Sequence, residues 1–226
     1  MKTDVNINRM TRAVLLFLIL PFFAVGQESE LGNWGIYIGN KKLNSNFNLH
    51  HEVQYRNYNA VGDLEQLLLR GGLGYNLSEN NNNLLIGYGF ILSENYIGDT
   101  DDKVSVNEHR IYQQFITKQQ FKRISVQHRY RFEQRFVEEN FKLRFRYFLA
   151  FNMPITKKEM IDKTVYLSAY NEVFLNTETD VFDRNRLYGG LGYKLNKTIR
   201  FELGYMNQFL SKGNRDQINV ISFVNF

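Results

Sequence analysis

The residues of this chain best suited to chemistry are arginines and glutamates that recur at alternate positions. In the segment 123–136, Arg129, Arg131 and Arg135 share their parity with Glu133, while aromatic residues fill most of the positions between them. A guanidinium binds a carboxylate or a phosphate through two parallel hydrogen bonds. The candidates at such positions along the chain are Glu52, Arg56, Arg70, Glu108, Arg110, Arg129, Arg131, Glu133, Arg135, Arg144, Arg146, Glu172, Arg184, Arg186, Arg200 and Glu202.

Two interpretations of this set remain open. Charges shielded from lipid need partners, so the first interpretation is a network of ion pairs that packs the interior of a barrel. The second is a lumen that conducts or binds small anionic solutes, because rings of Arg or Lys are the expected lining of an anion path. The arginines outnumber the glutamates, so spare positive charge is available for the second role.

Metal and cysteine sites have weaker support. The chain contains no cysteine, which excludes disulfides and thiolate ligands. His50 and Glu52 share a face, but two ligands are too few for a metal site. Asp99, Asp101 and Asp102 lack the remaining positions of a calcium loop. We therefore predict no metal and no cofactor. The formal net charge of +5 falls to +3 when Lys2, Asp4, Arg9 and Arg12 are removed with the N-terminus, which is too mild to indicate a nucleic-acid partner.

An enzyme would need a nucleophile beside a base. Lipid hydrolases of barrel form carry His and Ser two positions apart on one strand face, and the sequence has no His-x-Ser. His51 and His109 fall on the opposite parity from the charged residues, so they are the candidates for an interfacial lipid-modifying site. We expect no catalytic residues and no enzyme activity.

The elements that must position the charged residues are strands, because apolar residues recur every second position. The aromatic content is 15% although the mean hydropathy is only -0.40, which favours a barrel with one lipid-facing and one polar face over a helical membrane protein. The alternating segments are 47–56, 64–75, 84–92, 106–118, 123–136, 141–151, 164–176, 184–194, 199–206 and 216–226.

These segments predict an all-β fold, a closed antiparallel transmembrane β-barrel of 10 to 12 strands. Counted from Phe47 onward, the segments give ten strands. The apolar residues Trp34, Ile36 and Ile38 indicate an eleventh strand, which would make the strand number odd. A soluble β-sandwich also alternates, but the segments are long and aromatic residues gather near their ends, as at a membrane interface. The final alternating strand ends on Phe226, which is typical of the signal read by barrel-assembly machinery.

The N-terminus predicts export. An apolar run over 13–25 follows Lys2, Arg9 and Arg12 and precedes Gly26, the three parts of a secretory signal. We predict a signal peptide over 1–26 and an outer-membrane barrel over 27–226, with translation starting at Met1 or Met10. The run is too short to cross a bilayer as a helix. The predicted location is the bacterial outer membrane, with outer-membrane lipid as a partner.

Connection lengths predict the orientation, because outer-membrane barrels have short periplasmic turns and longer external loops. The acidic stretch 93–105 is predicted to be the longest external loop, and 177–183 is predicted to lie on the same side. Phe226 is then periplasmic. The turn 153–163 is the one long connection on the periplasmic side.

Several strings resemble the DUF2490 family, which comprises uncharacterised outer-membrane β-barrel proteins of Bacteroidetes. They are EVQYRNYN (52–59), EHRIYQQF (108–115), HRYRFEQRF (128–136), YNEVFLN (170–176) and DRNRLYGGLGY (183–193). The resemblance covers nearly the whole mature chain and implies a barrel in the outer membrane. It implies no activity and no site residue.

The expected function is therefore that of a porin-like outer-membrane barrel, acting as a narrow channel or a binder for small anionic solutes through an arginine-rich lumen. The alternative is a non-conducting structural or adhesion barrel whose external loops bind a partner. The interfacial lipid-modifying enzyme is a third candidate.

Overall fold

A computed structural model of the chain describes residues 31–78, 81–177 and 180–226. The predicted signal peptide, 1–26, lies outside the described residues. The described strands are β1 (Gly32–Lys42), β2 (Phe47–Asn57), β3 (Leu64–Asn76), β4 (Asn82–Tyr96), β5 (Lys103–Phe121), β6 (Ile124–Val137), β7 (Asn140–Pro154), β8 (Thr164–Asn176), β9 (Phe182–Lys194), β10 (Ile199–Leu210) and β11 (Asn214–Asn225).

The eleven strands form one closed barrel in which each strand pairs with its neighbours in the sequence and β1 pairs with β11. An all-β closed barrel is thus confirmed, and its strand number falls inside the predicted range. The prediction of a wholly antiparallel barrel is wrong, because β1 and β11 run parallel. The reason is geometric: when strands reverse direction one after another, an odd number leaves the first and last pointing the same way.

The alternation of side chains explains why these segments form strands. In β6, Tyr130, Phe132 and Phe136 are outward and exposed, whereas Arg131 and Glu133 are inward and buried. A strand places successive side chains on opposite faces, so a period of two gives one apolar and one charged surface. Other strands repeat this pattern, and the barrel has an apolar outer belt around a polar interior.

The barrel has two ends, which we name by the residues that mark them. The Gly32 end carries the start of β1 and the connections 58–63, 97–102, 138–139, 177–181 and 211–213. The Phe226 end carries the connections 43–46, 77–81, 122–123, 155–163 and 195–198. β1 and β11 both run toward the Phe226 end. Gly32, the first residue of β1, and Phe226, the residue after β11, therefore lie at opposite ends of the barrel.

The predicted long loop 93–105 is shorter in the structure. β4 continues to Tyr96 and β5 begins at Lys103, and these two residues are paired. The Ser105 hydroxyl donates to the Glu94 carboxylate at 2.7 Å. Polar cross-strand pairs therefore extend the ladder beyond the region where apolar alternation is visible in the sequence.

The parallel pair of β1 and β11, which we call the parallel seam, is stabilised at the Phe226 end by backbone hydrogen bonds. The Phe226 amide donates to the Asn40 carbonyl at 2.8 Å, and the Lys42 amide donates to the Phe226 carbonyl at 3.0 Å. Outside the barrel, the His51 ring lies 6.1 Å from the Phe226 ring. In the described residues no helix has both the length and the apolar character needed to cross a membrane.

Candidate ligand cavity in the barrel interior

The structure places all of the candidate charged residues in the barrel interior. Twelve are buried: Glu52, Arg56, Arg70, Glu108, Arg110, Arg131, Glu133, Arg144, Arg146, Glu172, Arg186 and Glu202. Four are half-buried: Arg129, Arg135, Arg184 and Arg200. The alternation along each strand predicts which side chains face outward. It therefore also predicts that these charged side chains point into the barrel.

Glu133 is the centre of an ion-pair network across β6 and β7. Its carboxylate accepts from Arg144 Nη2 at 2.6 Å and from Arg146 Nη1 at 2.7 Å, and Arg131 Nη1 lies 3.6 Å away. The Glu133 side chain is wholly buried. A buried carboxylate with charge-assisted hydrogen bonds compensates the desolvation of its arginine partners, so this cluster fills the interior at mid-height.

A second group of ion pairs lies between this network and the Gly32 end. Glu108 accepts two hydrogen bonds from Arg110, at 2.5 and 2.7 Å, and two from Arg135, at 2.5 and 3.0 Å. Asp183 accepts from Arg144 and from Arg184, each at 3.1 Å. Glu108 and Asp183 thus each bind two arginines.

Toward the Phe226 end the interior is hollow, with a cavity of about 620 Å³. Its lining includes Asn225 and the turn residues Asn196, Lys197 and Thr198, which shows that it reaches the Phe226 end. Toward the Gly32 end, Arg131, Glu133 and Tyr112 are at most 1% exposed. Buried side chains therefore close the cavity toward the Gly32 end, at mid-height on the side of β5 and β6 and, with Trp34 and Arg56, near the Gly32 ends of β1 and β2.

The cavity wall is strongly positive. Ten cationic side chains line it against three carboxylates, an excess of seven positive charges among the described residues: Arg56, Arg70, Lys118, Arg129, Arg131, Arg146, Arg186, Lys194, Lys197 and Arg200 against Glu52, Glu172 and Glu202. Low-dielectric walls around charges of one sign concentrate the field, so this cavity attracts anions.

Some of the cationic donors on the wall lack partners. Arg131 Nη1 and Arg129 Nε are buried and have no hydrogen-bond acceptor among the described residues. The other groups of Arg131 are held in place, since Nε and Nη2 donate to Gln114 at 2.9 and 2.6 Å. An unsatisfied buried donor of a charged group is costly. Arg131 Nη1 and Arg129 Nε are both covered by protein, and Glu133 Oε1 lies 3.6 Å from Arg131 Nη1.

Trp34 lies between two further arginines of the wall. The Arg56 guanidinium is 3.8 Å from the Trp34 ring centroid and that of Arg186 is 4.8 Å away. Arg56 donates to the amide oxygens of Gln54 and Gln66, and Arg186 donates to Gln208. The amide oxygens fix both guanidinium groups without adding negative charge, although Arg186 also lies 3.8 Å from the Glu172 carboxylate.

Glu172 shows how the carboxylates of the wall are shared. It accepts from Arg129 at 2.7 Å and from Arg146 at 2.6 Å, and Arg186 lies 3.8 Å away. One carboxylate thus serves three cations. Glu202 has a different environment, because it accepts from the hydroxyls of Tyr166 at 2.9 Å and Ser168 at 3.0 Å.

The sequence reasoning missed several members of the cavity wall. Lys118 shares the parity of Arg110, and Tyr170 shares that of Glu172, so extension of the alternation would have found both. Lys194 lies at the end of β9, and Lys197 lies in the turn after it. No signal in the sequence indicates that this turn closes over the cavity.

The histidines do not form a site with the charged residues. His50 Nε2 lies 3.5 Å from Glu52, but no group of three His, Asp or Glu side chains suited to a metal occurs in 31–78, 81–177 and 180–226. His51 lies outside the barrel near Tyr37, with ring centroids 5.4 Å apart. His109 pairs with the Tyr88 hydroxyl on the outer surface.

The fold and its interior define a class: an eleven-stranded β-barrel with a basic cavity that reaches one end. The chain belongs to the DUF2490 family, described as proteins of unknown function, whose model matches residues 31–219. The resemblance predicted from the sequence is thereby confirmed. A relative, an uncharacterized protein of Methylorubrum extorquens, is 30% identical over 164 residues, which covers 70% of this chain and 69% of the relative. No solved structure gives a significant match.

Proposed function

We propose that this protein is an outer-membrane β-barrel that binds a small anionic solute in its lumen, with the cavity reached from the periplasm through the Phe226 end. The outer belt supports the membrane part of the proposal. Leu69, Ile86, Leu203 and Phe132 are among many large apolar side chains exposed on the outside of the barrel. An apolar band of this kind suits lipid, whereas a soluble barrel rarely exposes such a continuous surface.

The positive cavity carries the functional part of the proposal. An interior built only for packing would match its arginines with carboxylates, as the half near the Gly32 end does. The lining of the cavity instead carries an excess of seven positive charges, and of these described cations only Arg131 and Arg146 also contact the Glu133 carboxylate behind the wall. Preorganised guanidinium groups with spare donors are the usual means of binding carboxylate or phosphate.

Binding is a better proposal than conduction because the interior is filled at mid-height. Glu133, Tyr112 and Arg131 close the cavity on the side of the Gly32 end. The connections at that end are short. The two longest that the structure describes completely are 58–63 and 97–102, which have equal length. These connections offer little surface for the adhesion role. Solute binding, unlike lipid modification, requires no catalytic group.

The test is a titration with inorganic phosphate, read by the fluorescence of Trp34. The chain has a single tryptophan, and it lines the cavity. We expect saturable binding that weakens as sodium chloride is added. Arg129→Gln removes one guanidinium from the wall, and its binding should fall about tenfold, the equivalent of one charge-assisted hydrogen bond.

The matched control is Arg184→Gln, since Arg184 is half-buried like Arg129 but does not line the cavity. Its affinity for phosphate should equal that of the wild type. In planar bilayers the wild type should show no ohmic conductance. Steady anion current would replace the binding proposal with a channel, and absence of any saturable phosphate signal would refute it.

A further inference from the structure

One wall of the cavity is apolar, which a site for a small inorganic anion does not require. Ile36 and Ile38 of β1 point into the cavity, together with Ile221 and Phe223 of β11. The four residues are direct partners across the parallel seam, Ile36 with Ile221 and Ile38 with Phe223. They form a continuous apolar strip, which we call the seam strip.

The seam strip is incompletely covered by protein. Ile221 is buried against Trp34 in the apolar cluster of the interior, but Ile36, Ile38 and Phe223 are only partly buried. Their remaining surface faces the cavity. Apolar surface left facing water inside a cavity gains free energy when an apolar group covers it.

The basic wall faces the seam strip. Around the closed barrel β6 lies five strands from β1 in one direction and six in the other, so these strands are on opposite sides. Arg129 and Arg131, two of the arginines that line the cavity, belong to β6. The cavity is therefore amphipathic, with Arg129 and Arg131 on one side and, on the other, the partly exposed seam strip, whose Phe223 ring stacks against Arg200 at 3.8 Å.

We infer that the ligand is an amphiphilic anion: a carboxylate or phosphate head bound by Arg129 and Arg131, with an alkyl or similarly apolar portion against the seam strip. This inference rests on the proposed function, since it names the chemical class of the solute. A cavity of about 620 Å³ is in the size range of sites for small organic ligands. The charge on one wall positions the head, and the seam strip selects for the tail.

The experiment compares three ligands on the full-length wild type in nanodiscs of phosphatidylcholine, with Trp34 fluorescence as the readout and empty nanodiscs as the blank. Acetate has the head without the tail, decanol the tail without the head, and decanoate has both. Methyl phosphate and decyl phosphate repeat the comparison for a phosphate head. We expect each decyl anion to bind at least about tenfold more tightly than its short counterpart, because several methylenes are buried.

Two variants separate the walls. Ile38→Asn should reduce the affinity for decanoate toward that for acetate and leave acetate unchanged, whereas Ile38→Leu, which retains an apolar side chain, should keep the preference. Arg129→Gln should weaken decanoate and acetate alike. The heat-modified gel mobility of each variant verifies that the barrel has formed, and the wild-type comparison needs no variant.

The outcomes distinguish this inference from the proposed function. Equal affinities for acetate and decanoate would overturn the amphiphile and leave the anion-binding cavity in place. Decanol binding as tightly as decanoate would overturn both, because the basic wall would then contribute nothing. Failure of phosphate, acetate and decanoate alike would also overturn both.

Discussion

The two halves of the barrel interior use the same residue types to different ends. Near the Gly32 end, Glu108 and Asp183 each bind two arginines, and Glu133 joins three at mid-height. Around the cavity, which opens toward the Phe226 end, three carboxylates face ten cations. The first half is a packed ionic core, and the second is an electrostatically incomplete site.

This difference shows that the arginine content alone does not indicate function. A buried arginine with a well-placed carboxylate is compensated, and removal of either partner leaves an uncompensated charge. A buried arginine with amide partners only, such as Arg56, keeps its field available to a ligand. Sites that favour function over stability are expected to show such incomplete compensation.

The largest predicted effect is at the centre of the packed half. Glu133→Gln leaves Arg144 and Arg146 without the carboxylate that both contact, so the free energy of unfolding should fall by about 3 to 5 kcal/mol. Urea titration of the barrel in lipid vesicles measures it. Glu202→Gln is the matched control: its carboxylate accepts from two hydroxyls, and its nearest cation, Arg200, is 4.0 Å away. Equal losses for the two variants would contradict a difference between the halves.

A second comparison uses one arginine from each half. Arg144→Gln should destabilise the barrel by about 3 kcal/mol, because Glu133 and Asp183 both lose a hydrogen-bonded partner. Arg129→Gln should cost about 1 kcal/mol, because Glu172 retains Arg146 and the lost partner is more exposed than Arg144. The same urea titration applies. A larger loss for Arg129→Gln would mean that the cavity arginines are structural.

The third prediction concerns the close approach of β9 and β10 at Gly190 and Gly204. A Cβ on Gly190 would lie 2.6 Å from the Leu203 carbonyl and 2.8 Å from the Gly204 Cα, so Gly190→Ala should cost about 1 to 3 kcal/mol. Gly189→Ala is the neighbouring control, because nothing lies within 4 Å of its added Cβ. Identical melting temperatures for the two variants would show that this close approach is not required.

The smallest effect is expected at the rim of the packed half. Burial acts to raise the pKa of the Asp63 carboxyl, but hydrogen bonds from Lys103 and Tyr96 lower it below its ordinary value. A lowered folded-state pKa gives stability that is present above the unfolded pKa and is lost as the pH falls through the folded pKa. Asp63→Asn should therefore reduce stability by up to about 1 kcal/mol at pH 7, with the difference vanishing in acid. The measurement is the urea midpoint of the wild type and of Asp63→Asn across the acidic pH range. A difference in stability that persisted in acid would contradict this account.

The parity of the sequence predicts much of the site. The period of two in segments such as 123–136 gives both the strands and the inward side of each, which is why Arg131 and Glu133 were expected in the interior. Strand identity and side-chain direction are local properties, and a local pattern can therefore specify them.

The division of the interior into two halves could not be predicted in this way. It depends on which residues of distant strands lie at the same height. Glu172 of β8 reaches Arg129 of β6 across an intervening strand, a contact set by strand tilt and stagger rather than by any spacing in the sequence. The parallel seam was also missed, because the segment with Trp34 is short and weakly alternating in the sequence.

The odd strand number gives β1 a double role in the barrel. A barrel of β2 to β11 alone would close with antiparallel partners, because those two strands run in opposite directions. The presence of β1 therefore makes the closure parallel. The same strand contributes Trp34 and half of the seam strip, so the strand that sets the direction of the closure also supplies much of the apolar wall.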